Sequence, residues 1–317
     1  MSHPKISILT PVKNAEPWIK ECIDSVLIQD CDWQWILVDD GCTDQTIAII
    51  ESYRDERIEI HRNTGHGIIP ALATGLTHCR DSFVTRMDAD DVMPDQRLLQ
   101  MSQALEDSPE KTVVTGLVRY FADTPLSKGY LSYENWLNEI NVQGNQWSNI
   151  YRECVIASPN WMVRKEELEQ SGGFKNLQYP EDYDLTFRWY ENDFSITSIP
   201  STTLFWREHR QRTSRNSDHY HQKSFFRLKI SRFLQIDHNQ EPIIIWGKNV
   251  KSTLTTRLLT AKSIPFELQD IKNYKALESY PKSQLLIAVY PEANKRDQIE
   301  AYLRSIGRIE GDSWWYL

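Results

Sequence analysis

No apolar run in the sequence approaches the ~20 residues that cross a bilayer, and Met1 to Lys5 lead into a strand-like run without a signal-peptide stretch. These absences predict a soluble, cytoplasmic chain. The five cysteines, Cys22, Cys31, Cys42, Cys79 and Cys154, are odd in number, form no CxxC pair and stop before the second half of the sequence. A disulfide framework or a zinc ribbon is therefore not expected. An excess of basic charge is missing too: 36 Lys and Arg stand against 44 Asp and Glu, a net charge of -8. That balance argues against nucleic acid as a partner, so any phosphate must be bound locally. Internal repeats and low-complexity tracts are also absent.

What is present is enough for two domains: 317 residues, 40% of them hydrophobic. Short apolar runs alternate with helical spacing along the first ninety residues. Ile6 to Leu9 reads as a strand, Trp18 to Leu27 as a helix, Trp35 to Val38 as a strand, and Thr46 to Tyr53 as a helix. A strand over Ile58 to Ile60, a helix over Ile69 to His78 and a strand over Phe83 to Thr85 follow. This βαβαβαβ order predicts a mostly parallel sheet with helices on both faces and ligands at the carboxyl ends of the strands. The polar residues fall at those ends: Thr10 to Asn14, Asp39 to Gly41, Asn63 to Gly65 and Asp88 to Asp91. The stretch from Ser127 to Ser158, rich in Asn and Gln, reads as an irregular excursion on the acceptor side.

A polar stretch from Gln235 to Pro242 separates a second unit, giving domains 1–235 and 242–317. Ile243 to Gly247 and Leu285 to Val289 read as buried strands, with helices over Thr253 to Ala261 and Ala293 to Leu303, a small Rossmann-like α/β pattern. Trp246 to Ser252 stands where a dinucleotide fingerprint would, yet only its first glycine is there, and no P-loop spacing fits. Packing, dimerisation or acceptor presentation is the expected role. The helix from Ser217 to Leu234 carries Phe225, Phe226 and Phe233 beside Lys223, Arg227 and Arg232. Packing within the fold explains it, and contact with an anionic membrane surface is the alternative.

Arg86-Met87-Asp88-Ala89-Asp90-Asp91 packs three carboxylates at one strand end, which is costly unless a cation or a set of donors offsets the repulsion. Mg²⁺ or Mn²⁺ suits such oxygens, with a diphosphate supplying further ligands. The plain alternative is an acidic turn capping the next helix. Asp39 is placed to accept from the imide N–H of a uracil, with Gly41 turning the backbone beneath it, and Asp44 caps the helix that follows. Eleven tryptophans and fourteen tyrosines suit both a core and the apolar faces of sugar rings.

At this point the chain resembles glycosyltransferase family 2 of the GT-A fold. Ile6 to Asn14, Ile36 to Asp44 and Arg86 to Asp91 stand in the family's order and spacing, with Cys42 where the family usually has serine. The resemblance implies an α/β GT-A domain followed by the small Rossmann-like domain. It implies that Pro11, Asn14 and Asp39 line a nucleoside pocket and that Asp88 and Asp90 form a metal-binding DxD. Thr10, Asp40, Arg86, Asp88, Arg207 and Arg212 complete the expected nucleotide-sugar set. Tyr179-Pro180-Glu181-Asp182-Tyr183-Asp184 looks like the family's acidic motif, with Asp182 as the base for the acceptor hydroxyl and Glu181 in support. His209 is implied as a third metal ligand, with Arg207, Arg210 or Arg212 meeting the diphosphate.

The expected activity is metal-dependent, inverting transfer from a nucleotide-sugar, UDP favoured, to a glycan or lipid-linked acceptor in bacterial surface glycan synthesis. Mn²⁺ or Mg²⁺ is the expected cofactor. A homodimer and peripheral contact with the inner membrane face are the further expectations about partners. A catalytically inactive nucleotide-binding or scaffold protein on the same fold is the alternative.

Overall fold

The structure of the chain, a computed structural model, describes residues 5–270 and 277–317. The opening segment 1–4, on which the expectation of no leader partly rests, lies outside them. The chain divides into two compact units, one of residues 1–144 and 156–216, the other of residues 145–155 and 217–317.

The first unit runs β1 (Ile6–Val12), α1 (Ile19–Leu27), β2 (Trp33–Asp39), α2 (Thr46–Ser52), β3 (Ile58–Arg62), α3 (Ile68–His78) and β4 (Phe83–Arg86). It continues with α4 (Arg97–Glu106), β5 (Thr112–Phe121), α5 (Lys128–Gln143), β6 (Met162–Arg164), α6 (Lys165–Gln170), α7 (Glu181–Glu191), β7 (Ser195–Arg207) and α8 (Thr213–Asn216). Its strands form one seven-stranded sheet in the order β3-β2-β1-β4-β6-β5-β7. Only β6 runs antiparallel to its neighbours. The fold is α/β with a mostly parallel sheet, as the alternating pattern predicts.

Burial on both faces explains why β1 and β2 read as continuous apolar runs. Helix α3 seats directly on them: a Cβ at Gly75 would come within 2.1 Å of Leu9 Cδ1 and 3.0 Å of Val38 Cγ2. Pairing of Val12 with Asp39 and of Leu9 with Arg86 brings the carboxyl ends of β1, β2 and β4 to one edge. The site's loops emerge there.

The expectation of an irregular segment from Ser127 to Ser158 is corrected by the 16-residue helix α5. Trp136, Leu137, Ile140 and Asn141 make its buried stripe, and Asn138 both donates to Val118 O and accepts from Val118 N at 2.9 Å. The Asn and Gln residues that obscured this helix in the sequence lie largely on its other faces or beyond its end at Gly144. The helix packs on strand β5, which the sequence pattern alone does not single out.

The second unit contains α9 (Gln222–Ile236), β8 (Ile243–Trp246), α10 (Val250–Ala261), β9 (Phe266–Gln269), β10 (Gln284–Ile287), α11 (Ala293–Ser305) and β11 (Trp314–Tyr316). Its four-stranded sheet, in the order β11-β10-β8-β9, is parallel throughout. The sequence puts the domain boundary between 235 and 242, whereas the compact units part at Asn216 and Ser217. Aromatic packing accounts for the difference: Phe233 of α9 meets both Tyr151 and Trp315 edge to face, at 5.5 and 5.1 Å. No helix among the described residues is long and apolar enough to cross a membrane.

Candidate active site

The loops after β1, β2 and β3 are laced by their own polar side chains. Asn14, in a left-handed conformation at φ 50°, accepts from Thr43 N through Oδ1 at 2.8 Å. Its own N–H donates to Cys42 Sγ at 3.3 Å, so the thiol takes the place of a small hydroxyl. Burial pushes that thiol up to about 12, which keeps it protonated. Asp39 Oδ1 accepts from Gly41 N at 3.0 Å and Cys42 N at 2.7 Å. One oxygen of Asp39 thus shapes the turn, and the half-buried carboxylate stays at the strand end. Asp44 accepts from Thr46 N at 3.1 Å, tying down the first residue of α2, and from Glu16 N at 3.1 Å.

Two members of the expected nucleotide-sugar set have structural duties instead. Thr10 is buried and accepts from Trp35 Nε1 at 2.8 Å. Strand alternation puts it on the core face with Ile6, Ile8 and Val12. Asp40 Oδ1 accepts from Gly67 N at 2.8 Å and Asn63 Nδ2 at 2.5 Å, and Oδ2 from Lys13 Nζ at 3.4 Å. It clasps the loop before α3. Pro11 lies half-buried at the end of β1.

The acidic loop after β4 meets the start of α7 through Arg86. This buried guanidinium donates Nε to Asp88 Oδ1 at 2.7 Å, Nη2 to Asp88 Oδ2 at 3.3 Å and Nη1 to Glu181 Oε1 at 3.2 Å. It joins the donor-side motif to the acidic motif, two segments some ninety residues apart in sequence. Glu181 and Asp182 open α7, where the helix N-terminus favours negative charge. Burial first, then the charge of Glu181, pushes Asp182 up to about 7 against the pull of Arg86.

Asp90 Oδ2 lies 2.8 Å from His209 Nε2. Burial opposes ionisation of Asp90, but the His209 hydrogen bond and the Arg212 charge hold it below the usual carboxylate range. His209 Nδ1 accepts from Gln211 N at 3.2 Å, which leaves Nε2 as the ring's donor to Asp90. In this arrangement the ring orients Asp90, and ligation by Nε2 would require giving up one of these bonds. Trp18 stacks on the same imidazole with centroids 3.7 Å apart.

Arg207 departs from the expectation of a diphosphate contact. Its amide donates to Asp91 Oδ1 at 2.8 Å, its Nε to Asp90 O at 2.7 Å, and its Nη2 pairs with Glu21. Arg207 therefore clamps the acidic loop to β7. Arg212 pairs with Glu208 at 3.3 Å and lies over the Trp206 ring, close enough to bias Asp90, while Arg210 is exposed. No local pattern marks Arg97, a buried guanidinium that donates to Pro159 O at 2.6 Å and Arg86 O at 3.2 Å beneath the loop. By spacing Trp18 belongs to a helical stripe, and nothing in that spacing signals the His209 stack.

Do these residues suit a divalent cation? Asp88 and Asp91 are both pushed up, by burial first, and each is raised further by Asp90. Asp91 Oδ2 is buried without a hydrogen-bond partner. The loop thus holds more negative charge than its protein partners offset, and hard carboxylate oxygens match Mg²⁺ or Mn²⁺. The donor set fits. Among the described residues no three His, Cys, Asp or Glu side chains already converge on one point, because Asp88 faces Arg86.

A family model for glycosyl transferase family 2 matches residues 7–172, more than half of the chain. The chain belongs to that family. It is 32% identical over 240 residues to the putative glycosyltransferase EpsE of Bacillus subtilis, covering 71% of this chain and 78% of that protein. It is also 33% identical over 123 residues to the uncharacterized glycosyltransferase EpsJ of B. subtilis, covering 38% of this chain. With the O-antigen biosynthesis protein RfbC of Myxococcus xanthus it shares 29% identity over 215 residues, 65% of this chain. The matched region spans only 36% of EpsJ and 16% of RfbC. In fold, the chain is similar to S. aureus TarS solved with UDP, at a TM-score of 0.54 and 17% identity, covering 80% of this chain and 70% of that one. It is also similar to the mannosyltransferase PcManGT of Pyrobaculum calidifontis solved with GDP-Man and Mn²⁺, at a TM-score of 0.56 and 17% identity, covering 98% and 78%.

Proposed function

We propose that this family 2 chain is a metal-dependent, inverting glycosyltransferase that moves a sugar from a nucleotide-diphosphate donor, UDP favoured, to an acceptor hydroxyl in bacterial surface glycan synthesis. The observation that carries it is the Arg86 bridge, which ties Asp88 of the acidic loop to Glu181, the neighbour of Asp182. Family membership and the O-antigen protein among the relatives support the biosynthetic setting.

Asp39, at the end of β2, receives the imide N–H of the base, while Asn14 keeps the two adjoining loops in register. Asp182 takes the proton of the acceptor hydroxyl as that oxygen attacks the anomeric carbon from the face opposite the departing diphosphate. A single displacement of this kind inverts the anomeric centre. Glu181, held by Arg86, keeps a second negative charge beside Asp182 and so raises its proton affinity. Mn²⁺ or Mg²⁺ held by Asp88 and Asp90 would supply positive charge for the diphosphate leaving group. His209 orients Asp90 for that task, and Arg212 adds a cation close by. Cytoplasmic residence with a glycan or lipid-linked acceptor completes the proposal.

The test is a panel of UDP-, GDP- and dTDP-sugars, each with Mn²⁺, Mg²⁺ or EDTA, read by thermal shift and by donor hydrolysis. UDP with Mn²⁺ should give the largest rise in Tm, and a UDP-sugar should be hydrolysed only with metal. Binding without turnover on any donor or acceptor would favour the inactive scaffold. No nucleotide-dependent shift at all would overturn the proposal.

A further inference from the structure

The second unit has a cavity of about 610 Å³ at the carboxyl end of β8, within the size range of small-molecule sites. Lys223 of α9, Lys248 of the loop after β8 and Arg257 of α10 line it, and no carboxylate does. In a chain with eight more acidic than basic residues, three cations gathered around one space without an acid among them is a selective arrangement. Among the described residues none of the three has an ion-pair partner.

The amide of Ser252 at the start of α10 is already engaged. Asn249 Oδ1 accepts from Ser252 N at 3.0 Å, and Ser252 Oγ accepts from Asn249 N at 2.8 Å, a closed capping box. The Ser252 amide is thus not available to a ligand, and the three side-chain cations are the charged groups that face the cavity. Gly247 supports the same conclusion. At φ 113° it lies where a Cβ would come within 2.5 Å of Val289 Cγ1, so its glycine answers to packing against Val289 and leaves no vacancy for a pyrophosphate. Val250 and Leu268, 63% and 43% exposed, add an apolar shelf beside the cations.

We propose that this cavity binds a phosphorylated ligand, its phosphate or diphosphate held by Lys248, Arg257 and Lys223 and its apolar portion resting on Val250 and Leu268. Such a group could belong to a free phosphorylated small molecule or to a phospholipid headgroup, and the recognising chemistry is the same. The site is independent of the transfer reaction assigned to the first unit.

The test uses the full chain in EDTA, so that no metal assists phosphate binding elsewhere. Inorganic pyrophosphate is titrated by calorimetry against the wild type, Lys248→Glu/Arg257→Glu, the milder Lys248→Gln/Arg257→Gln, and Asp90→Ala. Binding that weakens with added salt, falls about tenfold or more in the Glu variant and less in the Gln variant, and persists in Asp90→Ala supports the site. In parallel, co-sedimentation compares phosphatidylcholine vesicles with and without about 20% phosphatidylglycerol. Capture by the anionic vesicles that is lost in both double variants assigns the phosphate to a lipid headgroup. Pyrophosphate binding without capture assigns it to a free ligand. Equal pyrophosphate affinity and equal capture in the wild type and both double variants, or no binding of either probe, would overturn the proposal.

Discussion

Trp18 lies against His209 with 30° between the ring planes, and the imidazole so held places Nε2 2.8 Å from Asp90 Oδ2. The stack comes from the start of α1, whereas His209 follows β7, so the helix and the far edge of the sheet jointly fix one carboxylate. The imidazole's second nitrogen accepts from the Gln211 amide at 3.2 Å.

Removing the indole should loosen the imidazole and, through it, Asp90. Trp18→Ala is expected to weaken Mn²⁺ binding about tenfold, the range seen when partners behind a metal ligand are lost, with Trp18→Phe close to the wild type. Electron paramagnetic resonance titration of free Mn²⁺ measures this without turnover. The same affinity in all three proteins would reduce the stack to packing. Asp90→Ala should abolish turnover outright.

Asp39 and Asp40 are neighbours with opposite assignments, and substitutions should separate them. Asp40→Ala leaves the Gly67 amide and the Asn63 side chain without their acceptor and should cost about 1–3 kcal/mol of stability. Asp39→Ala, which also leaves the Gly41 and Cys42 amides without their acceptor, should in addition weaken UDP binding, since the proposed base contact is lost. Urea melts and nucleotide titrations on both variants check the pair. A stable Asp40→Ala protein that fails to bind UDP would reverse the assignment.

As the proposed base, Asp182 should give the reaction a pH dependence. Its proton affinity is raised to about 7 by burial and by Glu181, so the ionised base becomes available only as pH rises through that value. The rate with saturating metal should climb with pH to a plateau above about 7. The stability contribution has the opposite sign: the folded state holds this proton more tightly than the unfolded chain, so stability is lost as pH rises from about 4 to about 7. Asp182→Asn should lower kcat by about 10²–10⁴, remove the climb and leave donor affinity intact. Unchanged kinetics would remove Asp182 from the role.

The parallel strands near the site were legible because both faces are buried and their apolar runs have few interruptions, as at Ile36, Leu37 and Val38. Their parallel direction followed from the alternation with helices. Side-chain duties were less legible, because one carboxylate at a strand end reads the same whether it faces a ligand or a backbone amide. Asp40 and Arg207 are the clear cases, spent on Gly67 N and on Asp90 O. Arg97 and Trp18 act across distances in sequence that no local spacing encodes. Helix α5 was hidden by its Asn and Gln residues, one of which, Asn138, bonds the β5 backbone and does not mark a loop.

Lys229 tests how far burial shapes the second unit. Its ammonium lies inside α9's packing face, donates to Arg152 O at 3.0 Å and stands 4.5 Å from the Phe226 ring centroid. Burial is the main cause that lowers it from its ordinary 10.5 to about 8, with Lys251 adding to the effect and Glu153 opposing it. Below pH 8 both folded and unfolded chains carry the proton, and the folded state bears the full cost of a buried charge. Between about pH 8 and 10.5 the unfolded chain binds more protons than the folded one, so stability rises with pH across that window. A shift of this size corresponds to a penalty of about 3 kcal/mol at neutral pH. Lys229→Met keeps the length and removes the charge, so the second unit should gain about 1–3 kcal/mol at pH 7 and lose its alkaline rise. Hydrogen exchange of the α9 amides across the pH series reads this unit separately from the first. Faster exchange in the variant at pH 7 would mean that the Arg152 hydrogen bond outweighs the cost of burying the ammonium.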